Sequence, residues 1–62
     1  MTAAEFRAAR LSLWPRQSDA AAALGFSRQS SISDMEQGKQ PVTAQTALLM
    51  QAYLAGFRPV KD

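Results

Sequence analysis

Apolar residues recur at helical spacing along most of the chain, and four stretches predict helices. In the first, Phe6, Ala9, Arg10 and Leu13 fall on one face. Thr2 followed by Glu5 fits a capping box, so this helix starts near Ala3. It ends by Leu13, because Pro15 disfavours helical geometry at Trp14 and leaves Trp14-Pro15 as a short corner. A second helix runs from Arg16 or Gln17 to Leu24. Its Ala20–Ala23 run has high helix propensity and little bulk, so another helix can approach closely. Gly25 stands where a left-handed C-terminal residue is expected, with Phe26 tucked under the turn. Ser27 is the expected N-cap of a third helix, with Ser30 and Ser31 as competitors. That helix covers about Arg28 to Gln37 and stops at Gly38. Lys39-Gln40-Pro41 reads as a loop, and Thr43 caps a fourth helix over about Ala44 to Ala55, ended by Gly56. From Ala47 to Ala55 only Gln51 is polar, and a helix apolar nearly all round is usually buried on more than one side. The tail from Phe57 to Asp62 is too short for a further stable helix.

These elements describe one all-α domain, residues 1–62, a compact four-helix bundle with Phe6, Leu13, Ala20, Ala21, Leu24, Ile32 and Met35 as its core. Trp14 is expected to fill the helix corner. A core this small often gains stability by oligomerising. Leu49, Tyr53 and Phe57 are therefore candidates for a homodimer face, with ordinary core as the competing reading.

Composition narrows the chemistry. There is no cysteine for a disulfide or a thiolate-bound metal. Histidine, the commonest metal ligand and general base near neutral pH, is also missing. With no paired carboxylates in an evident pocket, no enzyme, metal or cofactor is expected. No apolar run is long enough to span a membrane and no signal peptide is evident, so the expected setting is cytoplasmic. The formal net charge is only +2, a weak signal for nucleic acid. Arg7, Arg10, Arg16, Arg28 and Lys39 are scattered rather than clustered, so non-specific electrostatic binding should be modest and salt-sensitive.

The segment Leu24-Gly-Phe-Ser-Arg-Gln-Ser-Ser-Ile-Ser-Asp-Met-Glu-Gln-Gly-Lys-Gln-Pro41 resembles the helix-turn-helix of the phage-repressor/Cro type, also called the xenobiotic-response-element family. The family pattern is Leu-Gly-apolar-Ser, then an aliphatic residue, Ser, an apolar residue, Glu-x-Gly and a nearby Pro. Resemblance extends back to Arg10 and Gln17 and covers roughly residues 5–56. It implies a lambda-repressor-like bundle, usually of five helices where this chain has room for four. In one respect the chain departs from the family. Ile32 follows Gly25 by seven positions, where six is usual, so one extra residue sits in the turn or the first turn of the third helix.

Register counted back from Ile32 and Glu36 puts Gln29 and Ser30 at the tip of the recognition helix, with Ser33 and Asp34 one turn later and Arg28 as the extra residue. A glutamine amide can pair with adenine N6 and N7, an arginine with guanine O6 and N7, and an aspartate can accept from cytosine N4. Serines can touch base or phosphate, and are also common as caps. Arg28, Gln29, Ser30, Ser33 and Asp34 are therefore the candidate base readers. Arg28 is balanced between base and phosphate, and Asp34 reads equally as a solvated acid. Gln17 at the start of the second helix matches a family glutamine that holds phosphate, with Arg16 and Ser18 as weaker candidates. Lys39, Gln40 and Thr43 stand where the family's following loop meets the DNA backbone. Arg10 and Glu36 resemble a family pair that forms an internal salt bridge.

The resemblance implies a sequence-specific, dimeric transcriptional repressor or autoregulator of a phage or mobile-element operon. Its partner would be double-stranded DNA with an inverted-repeat operator, and no small-molecule effector is expected. The modest charge and the apolar fourth helix support an alternative, an antitoxin-like protein-interaction module on the same fold.

Overall fold

The computed structural model describes residues 1–58. Four helices follow one another: α1 (Ala3–Leu13), α2 (Gln17–Leu24), α3 (Gln29–Glu36) and α4 (Ala44–Leu54). No strand occurs among the described residues. The Cα radius of gyration, 10.7 Å, is the value of about 11 Å expected for a compact chain of this length. No described helix is long and apolar enough to cross a membrane. Residues 59–62, the end of the tail expected to add no helix, lie outside the described residues.

Local chemistry accounts for the boundaries. At the start of α1, the Thr2 hydroxyl accepts from the Glu5 backbone N–H at 3.1 Å, and the Glu5 carboxylate accepts from the Thr2 N–H at 2.8 Å. This reciprocal box satisfies two N–H groups that the helix cannot. Trp14, ahead of Pro15, is extended and ends α1. Helix α2 closes on Gly25 at φ 82°, a left-handed conformation that is strained for residues with a Cβ. The Phe26 N–H donates to Ala21 O at 2.8 Å and the Gly25 N–H to Ala22 O at 3.4 Å, a Schellman closure. Phe26 then packs partly buried against the core. The same closure recurs after α3, where Gly38 and Lys39 donate to Met35 O and Asp34 O.

Three expected boundaries are corrected. The N-cap of α3 is Arg28, in extended geometry and with no side-chain capping bond, rather than Ser27. Three residues, Phe26 to Arg28, separate Gly25 from the first helical residue, Gln29, and α3 is continuous to Glu36. Helix α3 ends at Glu36 and α4 at Leu54, each one residue short of expectation.

Phe6, Ala20, Ala21, Ile32, Met35 and Met50 form the buried cluster, with one or more contributed by every helix. Ala20 and Ala21 present almost no side chain, which lets α3 lay Ile32 and Met35 against α2. Leu13 and Leu24, expected as core, are half-buried and pack against the cluster, as does Trp14. On α4, one side is buried through Met50 and Tyr53 and the other is open. Leu48 is 66 % exposed, and Leu54 and Phe57 are also exposed.

The placement of Tyr53 does not fit the dimer role expected of it. The residue is only 5 % exposed. Its hydroxyl donates to Ala23 O at 3.1 Å, and its ring stands edge-on to Trp14 at 5.0 Å and to Phe57 at 5.4 Å. Aromatic and polar partners within the protomer already cover it, so it joins α4 to α2 and offers no face to a second copy. Of the other two candidates, Leu49 is half-buried and Phe57 exposed.

Gly25 has no atom within 4 Å of where a Cβ would stand, so substitution there carries a conformational cost without a clash. Gly25→Ala should destabilise the domain by about 1–2 kcal/mol. For a chain this size that is a fall in Tm of roughly 4–8 °C or more, measurable by circular dichroism. An unchanged Tm would mean that the left-handed turn is not held in solution.

Candidate nucleic-acid interface

One buried carboxylate joins the expected Arg10–Glu36 pair to Gln17. Glu36, in the last turn of α3, has its side chain only 5 % exposed. Arg10 of α1 meets it in bidentate fashion, Nε donating to Oε2 at 2.6 Å and Nη2 to Oε1 at 3.1 Å. Arg10 Nη1 donates to the carbonyls of Trp14 at 3.3 Å and Pro15 at 3.0 Å, which ties down the α1–α2 corner. Gln17, in the first turn of α2, donates from Nε2 to Glu36 Oε1 at 3.1 Å. A single carboxylate thereby joins three helices. No buried side-chain nitrogen or oxygen among the described residues lacks a partner.

Burial alone would push the Glu36 carboxyl up. Hydrogen bonds from Arg10 and Gln17, with the charges of Arg10 and Arg7, outweigh it and hold the group below its ordinary value of 4.5. The pair is paid for in desolvation, but its good geometry makes it costly to break from one side.

Helix α3 therefore has two unlike sides. Ile32, Met35 and the Glu36 carboxylate hold the inner one. Arg28, Gln29 and Ser30, at the N-terminal end, are exposed, and Ser33 and Asp34 are half-exposed one turn later. Helical spacing places Gln29, Ser30, Ser33 and Asp34 on a common outer face. Within the described residues no side-chain hydrogen bond engages Arg28, Gln29, Ser30 or Asp34. Ser33 differs, because its hydroxyl accepts from Gln37 Nε2 at 2.8 Å.

The expected phosphate contacts are more dispersed. Arg16, the N-cap of α2, and Ser18 are exposed, and no side chain caps the start of that helix. Gln17 is half-buried with one amide hydrogen committed to Glu36. Lys39 is exposed and Gln40 half-buried, their backbone N–H groups both bonded to Asp34 O. The Thr43 hydroxyl is engaged within the protein: it accepts from the Thr46 N–H at 3.2 Å and donates to Thr46 Oγ1 at 3.1 Å. Its capping role is thus in place.

Two residues at this surface were not singled out from the sequence. Arg7 lies one helical turn before Arg10, and its Nε is 4.0 Å from Glu36 Oε1. Gln37 lies one turn after Ser33 and bonds to it. The signal in both cases is spacing, i to i+3 and i to i+4, from residues already of interest.

Because the Glu36 carboxyl is held low in the folded protein, its contribution to stability is present above the unfolded value near 4.5. That contribution disappears as pH falls through the folded value. Carboxyl NMR should find Glu36 titrating below 4.5, and Tm should fall over the same range; a midpoint at or above 4.5 would contradict the network. Arg10→Ala should cost about 3–5 kcal/mol by leaving Glu36 buried and unpaired. That is comparable with the whole stability of a domain this small, so denaturant melts should show a largely unfolded variant. A cooperative melt near that of wild type would count against the pair as an anchor.

Comparison of the chain with protein-family models, characterised proteins and solved structures gives no match, so the reading of this surface rests on its own residues.

Proposed function

We propose that the protein is a sequence-specific DNA-binding regulator whose α2–Gly25–α3 unit acts as a helix-turn-helix, with α3 as the recognition helix. The observation that carries this reading is the two-sidedness of α3. Its inner face is fixed by Ile32, Met35 and Glu36, while Gln29, Ser30 and Asp34 on the outer face, and Arg28 at the N-cap before them, make no side-chain hydrogen bond within the described residues. Polar groups held at a fixed attitude and free of internal bonds are what direct readout in the major groove requires. Gln29 pairs with adenine, Arg28 with guanine or a flanking phosphate, and Ser30, Ser33 and Asp34 complete the reading face. Arg16, Gln17, Ser18, Lys39, Gln40 and Thr43 flank the groove and meet the DNA backbone, which positions the domain without specifying sequence.

On this reading the protein, bacterial or phage-encoded, acts in the cytoplasm as a homodimeric repressor or autoregulator on an inverted-repeat operator. Half-sites lie about one helical turn, ~34 Å, apart. Leu48 and Leu54 on α4, and Phe57 just after it, are the exposed apolar residues available for pairing. The same surface and the net charge of +2 favour a second reading, an antitoxin-like interaction module that uses α4 and does not bind DNA.

Binding-site selection from random duplexes separates the two. The regulator reading predicts recovery of a two-fold symmetric motif; no enrichment even at low salt would leave the interaction module. On the selected site, Gln29→Ala should weaken binding by about 1–3 kcal/mol and relax one base position per half-site. An unchanged profile would show that Gln29 does not read.

A further inference from the structure

We propose that Gln37 is a positioning residue for Ser33 and sets its hydroxyl as a hydrogen-bond donor toward an acceptor on the base edge, an inference that rests on the DNA-binding reading above. Of the five candidate readers, only Ser33 has its side chain engaged within the described residues. Gln37 reaches it by two bonds. The Gln37 backbone N–H donates to Ser33 O at 3.0 Å, and its side-chain Nε2 donates to Ser33 Oγ at 2.8 Å. The first bond closes the last turn of α3 and fixes where the Gln37 side chain begins. The second brings the amide onto the hydroxyl across one helical turn, the spacing at which side chains of a helix meet.

Polarity follows from what each group can do. A serine hydroxyl has one hydrogen and two lone pairs. On a helix that hydrogen commonly returns to a carbonyl one turn back. Ser33 makes no such bond among the described residues, so its hydrogen is uncommitted. Gln37 occupies one lone pair, and accepting that bond polarises the O–H and strengthens it as a donor. Ser33 is half-exposed and lies one turn beyond Gln29 on the same face, beside the surface at which Gln29 meets the groove. In the major groove the partners of a donor are guanine O6 and N7, adenine N7 and thymine O4, whereas the cytosine edge offers an amino group. A hydroxyl without a fixed neighbour rotates and takes either kind. Gln37 thereby makes an indifferent hydroxyl selective without itself touching the base.

The test repeats binding-site selection with variants of the full chain. Ser33→Ala should relax one position per half-site, which identifies the base pair that Ser33 reads. At that position Gln37→Ala should lower the wild-type preference by about 2–10-fold, the worth of one hydrogen bond. Gln37→Lys, whose ammonium can only donate, should restore it. Gln37→Glu, whose carboxylate can only accept, takes the Ser33 hydrogen and turns the lone pairs outward. It should move the preference to a base that presents an amino group, cytosine N4 or adenine N6. The added charges change affinity for every duplex alike, and the ratio between bases is what is read. Gln37 is exposed, so each variant should melt close to wild type. An unchanged preference in Gln37→Ala and Gln37→Glu overturns the positioning role. Loss in Gln37→Ala without rescue by Gln37→Lys overturns the donor assignment. Ser33→Ala that weakens all duplexes alike puts the hydroxyl on phosphate, and no effect takes it off the DNA; either overturns the inference. All of these leave the DNA-binding reading standing. No enrichment by wild type removes that reading and the inference with it.

Discussion

The ion pair between Arg10 and Glu36 is the constraint on which the arrangement depends. In a chain of 62 residues the apolar core cannot be large, and two of its six buried members are alanines. Such a core holds helices together without fixing their relative position. The Arg10–Glu36 contact supplies the directional part. It joins α1 to α3 through two hydrogen bonds, reaches the α1–α2 corner through two backbone carbonyls, and takes in α2 through Gln17. Desolvating two charges is costly, and replacing such a pair with apolar residues is often neutral or stabilising. The value of the pair here is positional: it satisfies its geometry in only one mutual placement of three helices.

That placement makes α3 asymmetric. Buried residues and one buried carboxylate hold one side against the bundle, while the N-terminal end of the other side presents guanidinium, amide, hydroxyl and carboxylate groups without internal partners. Polar side chains on a small domain are normally solvated, and exposure alone carries little meaning. The combination of free polar groups with a rigidly held backbone distinguishes this end of α3 from the equally polar surface of α1. On α4, the open side exposes Leu48. The polar outer side of α3 and the exposed apolar residues of α4 thus lie on different elements.

Much of this was legible in the amino-acid sequence, because it depends on local rules. Thr2, Glu5, Pro15, Gly25, Gly38 and Thr43 each mark a helix end through a mechanism confined to one turn, and the observed ends follow them within a residue. Ser27 failed as the N-cap because the chain stays extended through Arg28 before α3 starts at Gln29. Tyr53 could not be assigned from spacing. An apolar helix with two candidate faces gives no sign of which one meets the protomer, and the deciding facts, a hydroxyl on Ala23 O and a ring edge-on to Trp14, join residues distant in sequence. The Arg10–Glu36 pair was suggested by resemblance, but the inclusion of Gln17 and Arg7 depends on helix packing that no local pattern carries.

If α3 is the recognition helix proposed above, its outer face is the surface that meets DNA sequence. Amide and side-chain NMR shifts recorded while a selected duplex is titrated into the labelled protein test it most directly. The account predicts perturbations concentrated on Arg28 to Asp34, with Gln17 beside them and Phe6 and Met50 in the core little changed. Perturbations centred on Leu48 to Phe57, or none at protein and duplex concentrations in excess of any specific Kd, would contradict it.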